Sequence, residues 1–183
     1  MLSLALLRHA KSSWEDSSLS DFDRPLNTRG EMAAPLMGRK LAELDVIPEL
    51  ILCSTSKRTR QTLESAMIAA EEINEARASV GDKKAPRIVF EDDLYLASSM
   101  DLFRRLRAIP SGPETVLLVG HNPGLQDLAA MLAGKGDAKS LSRLLEKYPT
   151  AGLAIINFEA NNWRDIAPGD GRLEAFITPK DRA

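Results

Sequence analysis

Both histidines of the chain follow a short apolar run. "LLRHAKSSW" at 6–14 places Arg8 and His9 directly after "LSLALL", and "TVLLVGHNPG" at 115–124 places His121 and Asn122 after a second run. A third run, "ELILC" at 49–53, leads into "STSKRTRQT", which carries Arg58 and Arg60. Taken singly, a histidine at the end of a strand is more often a hydrogen-bonded structural residue, and an arginine there usually meets a carboxylate or solvent. Two histidines and two arginines at three such exits are harder to dismiss. Arg8, His9, Arg58 and His121 would surround a space one anion wide, and helix starts near Arg58 and Asn122 would add backbone N–H groups. Phosphoryl transfer needs such a set. Arginines bind equatorial phosphoryl oxygens through fixed donor forks. A neutral imidazole can attack phosphorus in line, giving a phosphohistidine that water later hydrolyses. A second histidine, protonated while phosphate is bound, can stabilise the charge.

The elements that must position these residues alternate. Leu-, Val- and Ile-rich runs at 2–7, 49–53, 87–90, 115–120 and 153–158 read as strands buried on both faces. Between them lie helical patterns. One follows "NTRGE", with capping-box spacing from Thr28 to Glu31 and Leu36, Leu41 and Leu44 at near-helical intervals, although Pro35 sits in its first turns. A second runs from about Arg58 to Ile73, a third from Ser98 to Pro110, and a fourth has Asn122 as N-cap with Pro123 in first position. The segments 74–86 and 134–140 read as surface excursions, and "RLEAFI" at 172–177 as an antiparallel edge strand. This alternation predicts a three-layer α/β/α sandwich with a mainly parallel central sheet. In such sheets ligands bind outside the carboxyl ends of the strands, where both histidines fall.

A length of 183 residues fits one domain over 1–183. A formal net charge of −2 argues against a broad nucleic-acid-binding face, leaving room only for a small cationic pocket. One cysteine, Cys53, excludes an internal disulfide framework and fits a reducing compartment; its place in "LILC" predicts a buried, inert thiol. About six apolar residues precede Arg8, too few for a signal-peptide core, and no stretch approaches the roughly 20 of a membrane span, so a cytoplasmic protein with no membrane partner is expected. There is no HExxH or HxH metal spacing and no GxxxxGK[ST] nucleotide loop, and no metal or cofactor is expected.

The ordered segments "LLRHAKSSW", "DFDRPLNTRG", "CSTSKRTRQT", "LYLAS", "LLVGHNPGLQDLA", "PTAGLAIINF" and "FITPKD" resemble the histidine phosphatase superfamily, and within it the small SixA branch of phosphohistidine phosphatases. The resemblance implies a phosphoglycerate-mutase-like fold, with His9 as nucleophile, Arg8 as its phosphate-binding neighbour, Arg58 as the pocket arginine and His121 as the second pocket histidine. Arg60 is left as a helix-surface charge. Ser12 matches a position where relatives often place a phosphate-reaching hydroxyl, and Asn122 stands beside the phosphate where many relatives have a proton-donating aspartate. Other relatives use a glutamate after the third strand, where "EDDLY" offers Glu91 and Asp93 as possible donors.

The resemblance further implies a phosphorylated protein substrate, such as a histidine phosphotransfer domain. The rivals are a broad small-molecule phosphomonoesterase with the same four residues and a non-catalytic phosphoprotein-binding module, the latter disfavoured by an intact His9 and His121. Asp21, Asp23 and Arg24 are read as ion pairs tying the loop after the first strand, Trp14 as walling the pocket or packing under it, and Met32, Met37 and Met67 as core filler.

Overall fold

The computed structural model describes residues 1–76 and 85–181. Its seven strands are β1 (Leu2–Arg8), β2 (Leu50–Ser54), β3 (Arg87–Glu91), β4 (Thr115–Gly120), β5 (Ala133–Gly136), β6 (Leu153–Phe158) and β7 (Gly171–Ile177). They form one sheet in the order β3-β2-β4-β1-β6-β7-β5. The first four positions are parallel, β6 runs antiparallel to both β1 and β7, and β5 is parallel to β7.

Among the described residues five α-helices cover the sheet: α1 (Thr28–Glu43), α2 (Lys57–Ala76), α3 (Ser99–Arg107), α4 (Gly124–Leu132) and α5 (Ala138–Glu146). Alternation along the strands sends successive side chains to opposite faces. Ala5, Leu7, Ile51, Cys53, Leu117 and Val119 meet α1 and α2 through Met37, Leu41 and Leu63. Leu4, Leu6, Leu52, Val116 and Leu118 meet α3, α4 and α5 through Leu102, Leu128 and Leu144. The three-layer sandwich is therefore the observed architecture. Among the described residues no helix is long and apolar enough to cross a membrane.

Several expectations are corrected. β3 is an edge strand with exposed Ile88 and Phe90, not a strand buried on both faces. β7 is antiparallel to β6 as expected, but β5 pairs beyond it and takes the edge. The supposed surface excursion at 134–140 thus holds most of β5 and the start of α5. The expected loop at 74–86 begins inside α2, and its residues 77–84 lie outside the described residues. Asn27, not Thr28, caps α1, its side chain accepting from Gly30 N. Pro123, not Asn122, occupies the N-cap position of α4. Met37 is core and Met67 partly buried, whereas Met32 is exposed.

The α1 stripe also differs. Leu36 and Leu44 are exposed, and the buried face is Gly30, Ala34, Met37, Gly38, Leu41 and Ala42. The cause is close helix packing: a Cβ on Gly38 would stand 1.8 Å from the Ala66 carbonyl oxygen of α2. Overfilling so tight a contact forces the backbones apart. Gly38→Ala should therefore destabilise the protein by about 3 kcal/mol, read as a lowered urea midpoint; an unchanged midpoint would mean that α1 and α2 can separate freely.

Candidate active site

Strand register delivers the two histidines side by side. β1 and β4 are parallel with Arg8 opposite Gly120, so His9 and His121 both occupy the next position, and His9 N donates to Gly120 O at 3.0 Å. Their rings lie 5.2 Å apart between centroids. β2 pairs with β4 up to Cys53 opposite Val119, which brings Ser54 to the same edge, and α2 starts shortly after it. Arg58 sits in the first turn of α2, 4 % exposed. Arg8, His9, Arg58 and His121 are thus brought together.

Their hydrogen bonds assign protons. His9 Nδ1 lies 2.8 Å from the Ala10 carbonyl, an acceptor, so Nδ1 carries the hydrogen and Nε2 keeps a lone pair. Arg58 Nη2 lies 3.3 Å from His121 Nδ1; guanidinium can only donate, so Nδ1 accepts and the Nε2–H donates to Ser54 Oγ at 2.8 Å. Arg8 Nη1 donates to Tyr148 O at 2.8 Å, while its Nε is buried without a partner. The loop after His9 is pinned from α2: Ala10 N donates to Thr62 Oγ1 at 2.9 Å, and that hydroxyl donates to Arg58 O.

Burial governs the charge. It pushes the His9 imidazole down to about 4, helped by Arg58 and Arg8 and opposed by the Ala10 hydrogen bond and Asp21. It pushes His121 down to about 3, with His9, Arg58 and Arg8 adding to the effect and Asp21 opposing it. Both rings are neutral at pH 7. Burial first, then Arg58, also lowers Arg8. The Cys53 thiol is buried and pushed up to about 12, which keeps it protonated.

The remaining expected residues are placed less directly. Ser12 is buried and forms an isolated bridge with Leu26. Asn122 Nδ2 donates to Tyr148 O at 3.1 Å, the carbonyl that also receives Arg8, and to Gln126 Oε1, while Oδ1 is buried without a partner. Neither expected proton donor is joined to the histidines. Glu91 is forked by Arg105 at 2.6–2.9 Å, and Asp93 is exposed on the 3₁₀ turn Asp92–Leu94 with no hydrogen bond or ion pair among the described residues. Arg60 donates to Thr55 O and stacks on Phe90, a helix-surface position. Trp14 is exposed and carries the Arg24 guanidinium 3.4 Å above its ring, so it does not pack under the pocket.

Sequence reasoning missed Asp21, Tyr95 and Ser54 as site residues. Asp21 was expected to pair within its own loop; instead its Oδ2 accepts from Arg58 Nη2 at 2.9 Å and from the Tyr95 hydroxyl at 2.6 Å. Tyr95 also sets its ring edge-on to His121, 5.2 Å between centroids. Gly124 permits this approach, since a Cβ there would stand 1.9 Å from the Ala97 carbonyl oxygen. The signal lay in "DFDRPL" and "LYLAS", whose polar residues have no apolar pattern to explain them.

Comparison with known proteins identifies the family. Residues 4–78 match the family model of the histidine phosphatase superfamily (branch 1). An uncharacterized protein of Mycobacterium tuberculosis is 35% identical over 177 residues, covering 95% of this chain and 100% of that one. The crystal structure of the putative phosphohistidine phosphatase SixA from Agrobacterium tumefaciens is 30% identical with a TM-score of 0.74, covering 97% of this chain and 98% of that one. The chain belongs to the histidine phosphatase superfamily. The protein histidine phosphatase SixA complexed with tungstate shares the fold, at 20% identity and a TM-score of 0.70 over 97% of each chain.

The neutral histidines of this phosphatase make its stability depend on pH. Their folded values lie below the ordinary 6.5, so as pH falls through 6.5 toward about 4 the unfolded chain binds protons that the folded one refuses, and stability is lost. The loss between pH 7 and 5 should be on the order of 4 kcal/mol, about 2 from each histidine, measured as a fall in urea midpoint, and about half as large in His121→Asn. A midpoint indifferent to pH over that range would mean that the histidines are not held neutral.

Proposed function

We infer that this histidine phosphatase hydrolyses phosphohistidine on a protein, through a covalent phosphohistidine at His9. The carrying observation is the Ala10 carbonyl at Nδ1, which leaves the His9 Nε2 lone pair within a cluster of two arginines and a second histidine. The similarity to SixA proteins over nearly the whole chain supports the substrate class.

In the proposed reaction Arg8 and Arg58 take the equatorial oxygens, and Nε2 attacks phosphorus opposite the leaving group. Burial foremost, with His9, Arg58 and Arg8, keeps His121 neutral; the arriving dianion outweighs this, so His121 takes up a proton at Nδ1, releases Arg58 to the phosphate and stabilises the charge. Ser12 and Asn122 line the phosphate site; Asn122 also fixes the carbonyl that holds Arg8. Water is the final acceptor. Arginine and histidine charge replaces what a metal ion would supply, so the reaction is metal independent. A surface phosphohistidine, for example on a histidine phosphotransfer domain, is the proposed partner.

Release of inorganic phosphate from a histidine-phosphorylated protein in EDTA is the test. Wild type should turn over, His9→Ala should not while remaining folded, and Arg58→Ala should lose about two orders of magnitude in kcat/KM. Activity confined to small phosphate esters would make the chain a small-molecule phosphomonoesterase, and inactivity on both would make it a phosphoprotein-binding module. Unchanged kinetics in Arg58→Ala would remove that arginine from the site.

A further inference from the structure

The loop after β1 holds a carboxylate at the phosphate site. Arg58 binds Asp21 twice, through Nη2 to Oδ2 and through Nη1 to the Asp21 carbonyl, and Tyr95 donates to the same Oδ2. Among the described residues no hydrogen bond falls on Oδ1. The Asp21 side chain is 48% exposed where Arg58 is 4% exposed. The carboxylate therefore stands on the solvent side of Arg58, where the part of a substrate beyond its phosphoryl group must lie.

Asp21 is also the acidic neighbour that both histidines sense. The groups around it are Arg58 from α2, Tyr95 from the turn before α3, His9 and His121 from the ends of β1 and β4, and Arg24 from its own loop. The Tyr95 hydrogen bond foremost, with Arg58 and Arg24, holds its carboxyl below the usual carboxylate range. Such a group is ionised at pH 7 and has no proton to give an alkoxide. It can, however, accept one in a hydrogen bond.

A phosphoryl imidazole has a distinctive need. If its far ring nitrogen is bare, the ring must leave as an imidazolate; if that nitrogen carries a proton, it leaves as neutral imidazole. We propose that Asp21 is a substrate-binding residue whose free Oδ1 accepts the far ring N–H of a phosphohistidine, keeping that ring protonated while its P–N bond breaks. The proposal rests on the phosphohistidine reading above. In the step, the His9 Nε2 lone pair forms the new N–P bond, and the electron pair of the old one goes to the substrate nitrogen. The proton stays on the far nitrogen, the product departs as neutral imidazole, and Asp21 remains a carboxylate. Water then attacks phosphorus, the electron pair returns to Nε2, and the water protons go to phosphate and bulk solvent. Alkyl phosphate esters gain nothing from such a group, so Asp21 selects nitrogen leaving groups over alkoxides.

Asp21→Asn keeps a carbonyl acceptor for Arg58 and Tyr95 and puts an NH₂ donor where the free oxygen stood. Its kcat/KM should be compared with wild type on phosphohistidine and on p-nitrophenyl phosphate, whose phenolate leaves without a proton. The ratio of the two should fall by about tenfold or more, and the alkaline limb of the phosphohistidine pH profile should move to lower pH. Asp21→Glu, which restores the charge, should return the limb toward its wild-type position. Equal losses on both substrates with an unmoved limb would reduce Asp21 to a support for Arg58 and overturn the proposal alone. Wild type active on p-nitrophenyl phosphate but not on phosphohistidine would overturn the functional reading, and this proposal with it.

Discussion

Two guanidinium groups and two imidazoles share one small volume at the end of the sheet, and like charges so close repel strongly once water is removed. The arrangement persists because both rings are neutral, because Arg8 leans on a backbone carbonyl, and because Arg58 leans on Asp21. The site is thus built around an excess of positive character that a phosphoryl dianion would balance. Asp21 offsets part of it from the solvent side, and Tyr95 fixes where that carboxylate stands.

Rigid elements hold these groups in place. The parallel pairing of β1 with β4 sets the histidines abreast, and the antiparallel β6 closes the other side of β1. Behind them, Tyr148 ties the backbone together: its hydroxyl donates to Leu6 O in β1, and its carbonyl receives Arg8 and Asn122. Thr62 does the same from α2, linking Arg58 O to Ala10 N. Around Arg8, His9 and Asn122, backbone acceptors and small hydroxyls thus do the positioning without adding charge; Arg58 alone leans on a carboxylate.

The parts legible in the sequence were those written as strong apolar periodicity ended by a polar residue. Of the five strands expected from apolar runs, four are inner members of the sheet, and the residues that follow the apolar stretches of β1 and β4 are Arg8-His9 and His121. What escaped was written in small residues. β5 is "AGKG", which has no hydrophobic alternation to announce a strand; it pairs with β7 through its backbone. On α1 the leucine spacing pointed to Leu36 and Leu44, whereas close approach to α2 selects Ala34, Gly38 and Ala42. A reading based on hydrophobicity favours large side chains and so misplaces a stripe that exists to let backbones touch.

Ester cleavage demands a carboxylic acid to protonate the leaving oxygen, which is why Glu91 and Asp93 after the third strand are the natural candidates in the sequence. The structure binds Glu91 to Arg105 and keeps Asp21 ionised, so neither carboxyl is suited to donate. A site rich in phosphate binding and poor in acid is ill matched to alkoxide leaving groups. It is well matched to a leaving group that carries its own proton at some distance from the bond that breaks, as an imidazole does. With phosphohistidine as the proposed substrate, an asparagine directly after the second histidine is accounted for: no acid is required there, and Asn122 holds the carbonyl that receives Arg8.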